Sequence, residues 1–179
     1  MKIDGHSQKM NEFIISINND LFFSDYPHIV STTFFINYQG KCFPDNQWTD
    51  FTYPNLNTWT EVLLKNLGVR NVKFDLFFMD GPYKLRVHKD ESMDIHINFI
   101  NSRRKELCEF TAKCSYIELL RALHQATKLF CNILYEKGMN QGTFEMVYHQ
   151  SVMSVKKTKK SYPCNFSKIE QFSSNVGLY

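Results

Sequence analysis

The sequence lacks long apolar runs: no stretch approaches the roughly 18 uninterrupted apolar residues of a membrane-spanning helix. We therefore expect a protein that has no membrane partner. Residues 1–6 also lack the apolar segment that signal peptides carry. This absence predicts a protein that is not secreted through a signal peptide, and we expect it in the cytoplasm.

Cysteine is scarce, and its spacing suggests no disulfide framework. The five cysteines are an odd number, and none of them forms a C-x-x-C pair. Scattered free thiols are typical of a reducing cytoplasm. Because Cys108 falls in a strand pattern and Cys131 in a helical pattern, we expect both to be small core residues rather than nucleophiles.

Familiar catalytic motifs are absent as well. The chain contains no G-x-S-x-G elbow, no P-loop, no G-x-G-x-x-G and no H-E-x-x-H. We therefore expect a protein that is not an enzyme and that holds no cofactor and no metal ion. One alternative is a hydrolytic or RNA-processing enzyme that uses His88, Asp94 and His96 on the polar face of a sheet. Solvated strand residues are the more common explanation of that pattern.

The length and the charge distribution favour one domain with a tail. A chain of 179 residues with 16 phenylalanines can bury a full, aromatic-rich core. Residues 155–179 hold five lysines against one glutamate, so the formal charge of +3 comes from this end and the rest of the chain is close to neutral. We predict a single α+β domain over residues 1–154 and a basic, flexible tail over 155–179. A near-neutral body argues against a nucleic-acid-binding domain.

The most regular pattern in the chain runs from residue 71 to residue 112. Apolar and polar residues alternate in successive short runs, which are separated by turns at 80–82 and 89–92. Alternation gives each strand one buried and one solvated face, and such short connections require antiparallel neighbours. We predict an antiparallel sheet of about six strands, to which the apolar segments 12–18, 31–38, 41–43 and 143–152 also contribute.

Two helices are predicted to accompany the sheet. Ser115 and Glu118 form a capping box at the start of a long C-terminal helix that ends near Gly138. The wide apolar face of this helix suits the apolar face of the sheet, so we expect the two to pack together. A shorter helix is predicted over residues 58–67, with Asn57 as its cap.

Two segments carry a resemblance to a known family. The first is FPDNQWTDF at residues 43–51, in which Trp48 is expected to anchor its loop, with Trp59 following. The second is LFFMDGPY at residues 76–83, in which Asp-Gly-Pro predicts a hairpin turn. In this order, ahead of antiparallel strands and a terminal helix, they resemble small bacterial immunity proteins of toxin–immunity systems, such as contact-dependent growth inhibition pairs. The resemblance covers roughly residues 30–138 and transfers no active site.

The resemblance implies a cytoplasmic protein that binds one cognate toxin domain and neutralises it by direct contact. Such binders need a preformed surface of complementary charge. Many nuclease toxins are basic and their inhibitors acidic, whereas this body is near neutral, so the class of toxin stays open. An adaptor that binds RNA through the lysine tail and exposed aromatic rings is a further alternative. The predicted partner-binding residues lie on the polar sheet face: Asp75, Lys84, Arg86, Asp94, His96, Asn98 and Glu109.

Overall fold

A computed structural model describes residues 13–23 and 30–138 of the chain. The predicted strand over 143–152 and the basic tail lie outside this part. No helix in the described residues is long and apolar enough to cross a membrane.

The predicted α+β class is confirmed. The elements are β1 Phe13–Ile17, β2 Phe22–Phe23, β3 Val30–Tyr38, β4 Lys41–Phe43, β5 Thr49–Phe51, α1 Thr52–Asn66, β6 Val72–Phe77, β7 Tyr83–Lys89, β8 Asp94–Asn101, β9 Leu107–Ser115 and α2 Tyr116–Glu136.

The first sheet is organised around β3, which pairs antiparallel with four shorter strands. β1 and β4 pair with the second half of β3 from opposite sides, and β2 and β5 pair with its first half. β3 is rich in β-branched and aromatic residues and is largely buried, as expected for a central strand.

The second sheet is an antiparallel meander in the order β6-β7-β8-β9. It is formed by the alternating runs between residues 71 and 112, so the prediction of consecutive hairpins there is confirmed. β9 carries a register irregularity opposite Phe99 and Ile100. The sequence predicted a sheet of about six strands. In the described residues, six strands have five or more residues, and these six belong to two sheets rather than one.

The two sheets share one hydrophobic core, to which Phe43 contributes. The Phe43 ring is completely buried and makes edge-to-face contacts with Phe78, Tyr83, Phe99 and Phe110, at centroid distances between 5.2 and 6.2 Å. Phe43 belongs to the first sheet, whereas its four partners lie on or beside strands of the second. Edge-to-face aromatic contacts add to the gain from burial alone, so Phe43 fixes the two sheets against each other.

The long helix α2 begins with the predicted capping box. Ser115 Oγ accepts a 3.1 Å hydrogen bond from the main-chain N–H of Glu118, and Glu118 Oε2 accepts a 2.6 Å bond from the N–H of Ser115. The helix stops just before Gly138, whose φ of +68° lies in the left-handed region that glycine tolerates. The apolar face of α2 packs against β1, α1 and β9, so the predicted contact between helix and sheet is confirmed.

Helix α1 starts earlier than the sequence predicted. It begins at Thr52, whereas the prediction placed the start at residue 58 after an Asn57 cap. Asn57 instead lies inside the helix and donates a 3.1 Å hydrogen bond to Glu61. The prediction was wrong because no side chain caps the true start of the helix. Pro54 lies in the first turn of the helix. Proline fits the first turn of a helix, because the N–H groups there have no carbonyl within the helix to bond, so the missing N–H of proline removes no hydrogen bond.

Lys89 lies in a buried position, although the sequence placed it in a polar turn. It ends β7, and only 1% of its surface is exposed. Its ammonium donates hydrogen bonds to the main-chain carbonyls of Asn66 (2.8 Å) and Leu67 (2.7 Å) at the end of α1, and lies 4.7 Å from the centre of the Tyr116 ring. Burial lowers the pKa of Lys89. The lysine therefore satisfies carbonyls that a helix end leaves unpaired.

Candidate protein-interaction face

The side of the β6–β9 sheet that points away from the core is the candidate site, and we call it the outward face. The register aligns Asp75 of β6, Arg86 of β7 and Asn98 of β8 in one row across the sheet. Side chains two apart on a strand share a face, which places Lys84, Asp94 and His96 on the same side. The outward face thus carries six of the seven: Asp75, Lys84, Arg86, Asp94, His96 and Asn98. Glu109 lies in the register irregularity of β9 and accepts a 3.1 Å hydrogen bond from Asn101, so alternation does not assign it to this face. That the seven residues bind a partner stays a prediction.

Four charged side chains on this face form an ion-pair lattice, made of Asp75, Lys84, Arg86 and Glu106. Arg86 bridges the two acids: its Nε lies 3.0 Å from Asp75 Oδ1, and its Nη1 lies 2.9 Å from Glu106 Oε2. Lys84 Nζ also contacts both, at 2.9 Å from Asp75 and 2.6 Å from Glu106. The lattice includes one residue that the sequence prediction missed, Glu106, which precedes β9.

The pKa values in this lattice favour the charged forms. Burial opposes ionisation of Asp75, but hydrogen bonds from Arg86 and Lys84 outweigh it and hold the pKa of that carboxyl below its usual value. Hydrogen bonds from Arg86 and then Lys84 lower the pKa of Glu106 to about 2. Two acids and two bases therefore stay ionised near neutral pH and neutralise one another.

Phe77 places a large apolar ring beside the lattice. The ring is 52% exposed, and Lys84 Nζ lies 5.6 Å from its centre. The main chain at Phe77 is held from behind, because its carbonyl accepts a 2.7 Å hydrogen bond from the indole of Trp59. Sequence reasoning missed Phe77 as a site residue, although it falls on the polar half of the alternation, where an aromatic residue is unexpected.

The three residues of the enzymatic alternative are only partly brought together. His88 lies directly opposite His96, whereas Asp94 lies opposite Ser115, further along β8. In residues 13–23 and 30–138, no group of three or more histidine, cysteine or acidic side chains could hold a metal ion. These residues therefore offer no metal site for a hydrolytic reaction. An acid–base role of the two histidines stays a prediction.

The cysteines in the described residues range from buried to exposed. Cys131 is buried, as predicted, whereas Cys108 is exposed, so its predicted core position was wrong. The register irregularity in β9 lies beside Cys108 and places it opposite Ile100, on the outward face. Burial raises the pKa of Cys131 to about 11 and, together with nearby acids, that of Cys114 to about 12. The raised pKa values favour the protonated form of both thiols, which is the less reactive form.

The two segments that carry the family resemblance meet in space. The ring of Trp48 contacts that of Tyr83 at a centroid distance of 4.8 Å, and a Cβ added to Gly81 would lie 2.9 Å from the Trp48 ring. Gly81 also has a φ of +111°, which other residues rarely adopt. Trp48 is therefore a partly buried anchor that holds the predicted turn between β6 and β7.

Asp50 reinforces the contact between these segments. Its carboxylate is 1% exposed and accepts hydrogen bonds from the main-chain N–H groups of Phe51 (2.7 Å) and Asp80 (2.9 Å), and from the indole of Trp48 (3.2 Å). Burial raises the pKa of Asp50, and these hydrogen bonds limit the rise. The residues at which the two segments meet therefore stabilise the fold.

Comparison with models of known protein families gave no match, and neither curated protein sequences nor solved structures gave one. The resemblance to immunity proteins therefore stays a prediction.

Proposed function

We propose that this protein is an immunity protein, which binds one cognate toxin domain through the outward face and neutralises it by direct contact. The observation that carries the proposal is the combination of the ion-pair lattice with the exposed ring of Phe77 on one continuous sheet face. Aromatic rings and arginine are enriched at the centres of protein interfaces, where they supply most of the binding energy.

The lattice also favours binding through preorganisation. Arg86 and Lys84 are each held by two carboxylates, so they lose little freedom when a partner arrives. Ordering a long side chain at an interface costs about 0.5–1.5 kcal/mol of free energy. Because the ion pairs already order Arg86 and Lys84 in the free protein, much of this loss does not occur on binding. Alternating charges at fixed positions also discriminate between partners, because a mismatched surface brings like charges together.

The size of the face indicates that neighbouring turns take part. Four strands about 4.8 Å apart and about seven residues long cover roughly 19 Å by 23 Å. This flat area is about half of the ~800 Å² that each partner buries in a standard interface. The β7–β8 turn and the segment before β9, which contains Glu106, border the face and extend it.

Inhibition in this account requires no chemistry from the protein itself. A bound immunity protein would cover the active site of the toxin or the path of its substrate. We place this action in the cytoplasm, where the composition of the chain and its free cysteines fit.

The proposal is tested by isolating the full-length tagged protein from its native cells and identifying the bound protein by mass spectrometry. That partner is then expressed in a sensitive host, with and without the immunity candidate. We expect the partner alone to stop growth and the wild-type protein to restore it. A partner without toxicity, or growth arrest that the wild-type protein does not relieve, would contradict the proposed function.

A further inference from the structure

A second row of side chains crosses the outward face beside the lattice, and we call it the basic row: Lys73, His88, His96 and Lys113. The register pairs Lys73 with His88, His88 with His96, and His96 with Lys113, so one residue comes from each strand. All four are exposed. Strand spacing of about 4.8 Å puts about 14 Å between the backbones at the two ends of the row.

The lysines of the basic row have no ion-pair partner among the described residues, which separates them from the lattice. Asp75, the acid nearest to Lys73 along β6, is already bound by Arg86 and Lys84. Lys113 makes main-chain contacts with the Tyr38 hydroxyl, and its ammonium forms no ion pair in the described part of the chain. The outward face is therefore split into a self-neutralised half and a half with unpaired cations.

Two acids border the basic row without neutralising it. Asp94 lies two residues from His96 on β8, and Asp90 accepts hydrogen bonds from Ser92 and from the main chain of Asp94 in the adjoining turn. The hydrogen bonds from Ser92, and to a smaller extent those from the main chain and the nearby His96, lower the pKa of Asp90. These acids lie at one end of the sheet, whereas Lys73 and Lys113 lie at its two edges.

We infer that the basic row receives carboxylates from an acidic strip on the partner protein, an inference that rests on the proposed function and names the chemistry of the toxin surface. The lysines would pair with two acids about 14 Å apart, and the histidines between them offer further hydrogen-bond donors. Exposed charges of this kind speed association and reject partners of the wrong sign.

The same face argues against a nucleic acid as the occupant of the basic row. The lattice beside the row carries no net positive charge, and Asp90 and Asp94 border the row, so little beyond the row itself would attract a continuous phosphate backbone. Separate carboxylates on a folded partner can lie over the lysines and avoid these acids. An acidic protein surface is therefore the better match.

The first test is a titration of the ¹⁵N-labelled full chain, followed by NMR, with a ten-residue glutamate peptide and in parallel with a ten-nucleotide thymidine strand. We expect the peptide to shift the signals of the basic row, and the double variant K73E/K113E to lose these shifts. Signals from residues 155–160 should move in both proteins and serve as an internal reference. Peptide shifts that avoid the row, or thymidine shifts of the row as large as those from the peptide, would overturn the inference.

The second test uses the partner that co-purifies with the full chain. We expect K73E/K113E to slow association with it at least tenfold at low salt, whereas K65E/K128E, which reverses two exposed lysines on the helices, changes the rate less than threefold. Equal rates for both variants would overturn the inference while leaving the proposed function standing. Absence of any growth-arresting partner would instead contradict the proposed function. The peptide titration would then still show whether the basic row binds carboxylates.

Discussion

The indole of Trp59 donates a 2.7 Å hydrogen bond to the main-chain carbonyl of Phe77. Trp59 is completely buried, whereas half of the Phe77 ring faces solvent on the outward face. A single bond therefore connects a completely buried core residue to the proposed binding anchor. The backbone at Phe77 is fixed before a partner arrives, which reduces the entropy lost on binding.

Replacing Phe77 with alanine tests the anchor. Because the ring is half exposed, we expect F77A to change the free energy of unfolding by about 1 kcal/mol or less. Loss of an interface anchor costs about 2 kcal/mol or more, so affinity for the co-purified partner should fall at least about thirtyfold. Isothermal titration calorimetry and urea unfolding measure the two effects.

Phe22 offers a matched control for this prediction, because its ring is also 52% exposed but lies on the first sheet. We expect F22A to bind the partner as the wild type does. If F77A and F22A bind equally well, Phe77 is not an anchor.

Replacing Gly81 with alanine tests the contact between the β6–β7 turn and Trp48. The new Cβ would lie 2.9 Å from the indole ring at a φ of +111°. We expect a loss of about 1–3 kcal/mol in the free energy of unfolding, from the crowding and the strained backbone together. Gly40 has a φ of +80° and no atom within 4 Å of an added Cβ, so G40A shows the backbone effect alone. Equal losses of stability in the two variants would mean that the Trp48 ring moves away from the new Cβ without lowering the free energy of unfolding.

Asp50 predicts an unusual dependence of stability on pH. Its pKa is raised in the folded state, so its contribution is complete below the unfolded value near 3.8 and is lost as the pH rises through the raised folded value. We expect the stability of the wild type relative to D50N to fall as the pH rises from 3.5 to 7. Urea unfolding of both proteins across this range measures the difference.

The acids of the lattice should act in the opposite sense. The pKa values of Asp75 and Glu106 are lowered, so their contributions are present above the unfolded values and are lost as the pH falls. The comparison with D50N separates Asp50 from these acids, because the lattice is the same in both proteins. A relative stability that rises with pH would contradict the raised pKa of Asp50.

Replacing Lys89 with methionine tests its role at the end of α1. Methionine keeps the apolar stem but leaves the carbonyls of Asn66 and Leu67 without their donor. We expect a loss of about 1–3 kcal/mol in the free energy of unfolding, because buried acceptors would be left unpaired. K65M, at an exposed site on the same helix, should change stability by less than about 0.5 kcal/mol. If K89M is as stable as the wild type, the cost of burying the ammonium equals the gain from its hydrogen bonds.

The sequence predicted those parts of the fold whose signals are local. Alternation at period two gave the β6–β9 meander and its outward face, and the pair Ser115 and Glu118 gave the start of α2. The Asp-Gly-Pro turn was also predicted correctly, since glycine and proline mark turns through their own backbone preferences. The start of α1 was missed because it has no side-chain cap.

Contacts between distant residues left no such local signal. Asp50 accepts from Asp80, thirty residues away, and Lys89 reaches the end of α1 from the far side of a hairpin. Lysine and aspartate usually lie at the surface, so their burial follows only from the tertiary partners that satisfy them. Three of the four lattice residues, Asp75, Lys84 and Arg86, were predicted on this face because they alternate on strands, whereas Glu106 lies in the segment before β9.

The most direct test of the outward face as the binding site is hydroxyl-radical footprinting of the full chain, alone and in complex with its co-purified partner. The account predicts that the partner protects the side chains of Phe77, His88 and His96, while the exposed rings of Phe22 and Tyr135 keep their reactivity. Unchanged labelling of Phe77 and both histidines in a stoichiometric complex, with protection elsewhere, would contradict it.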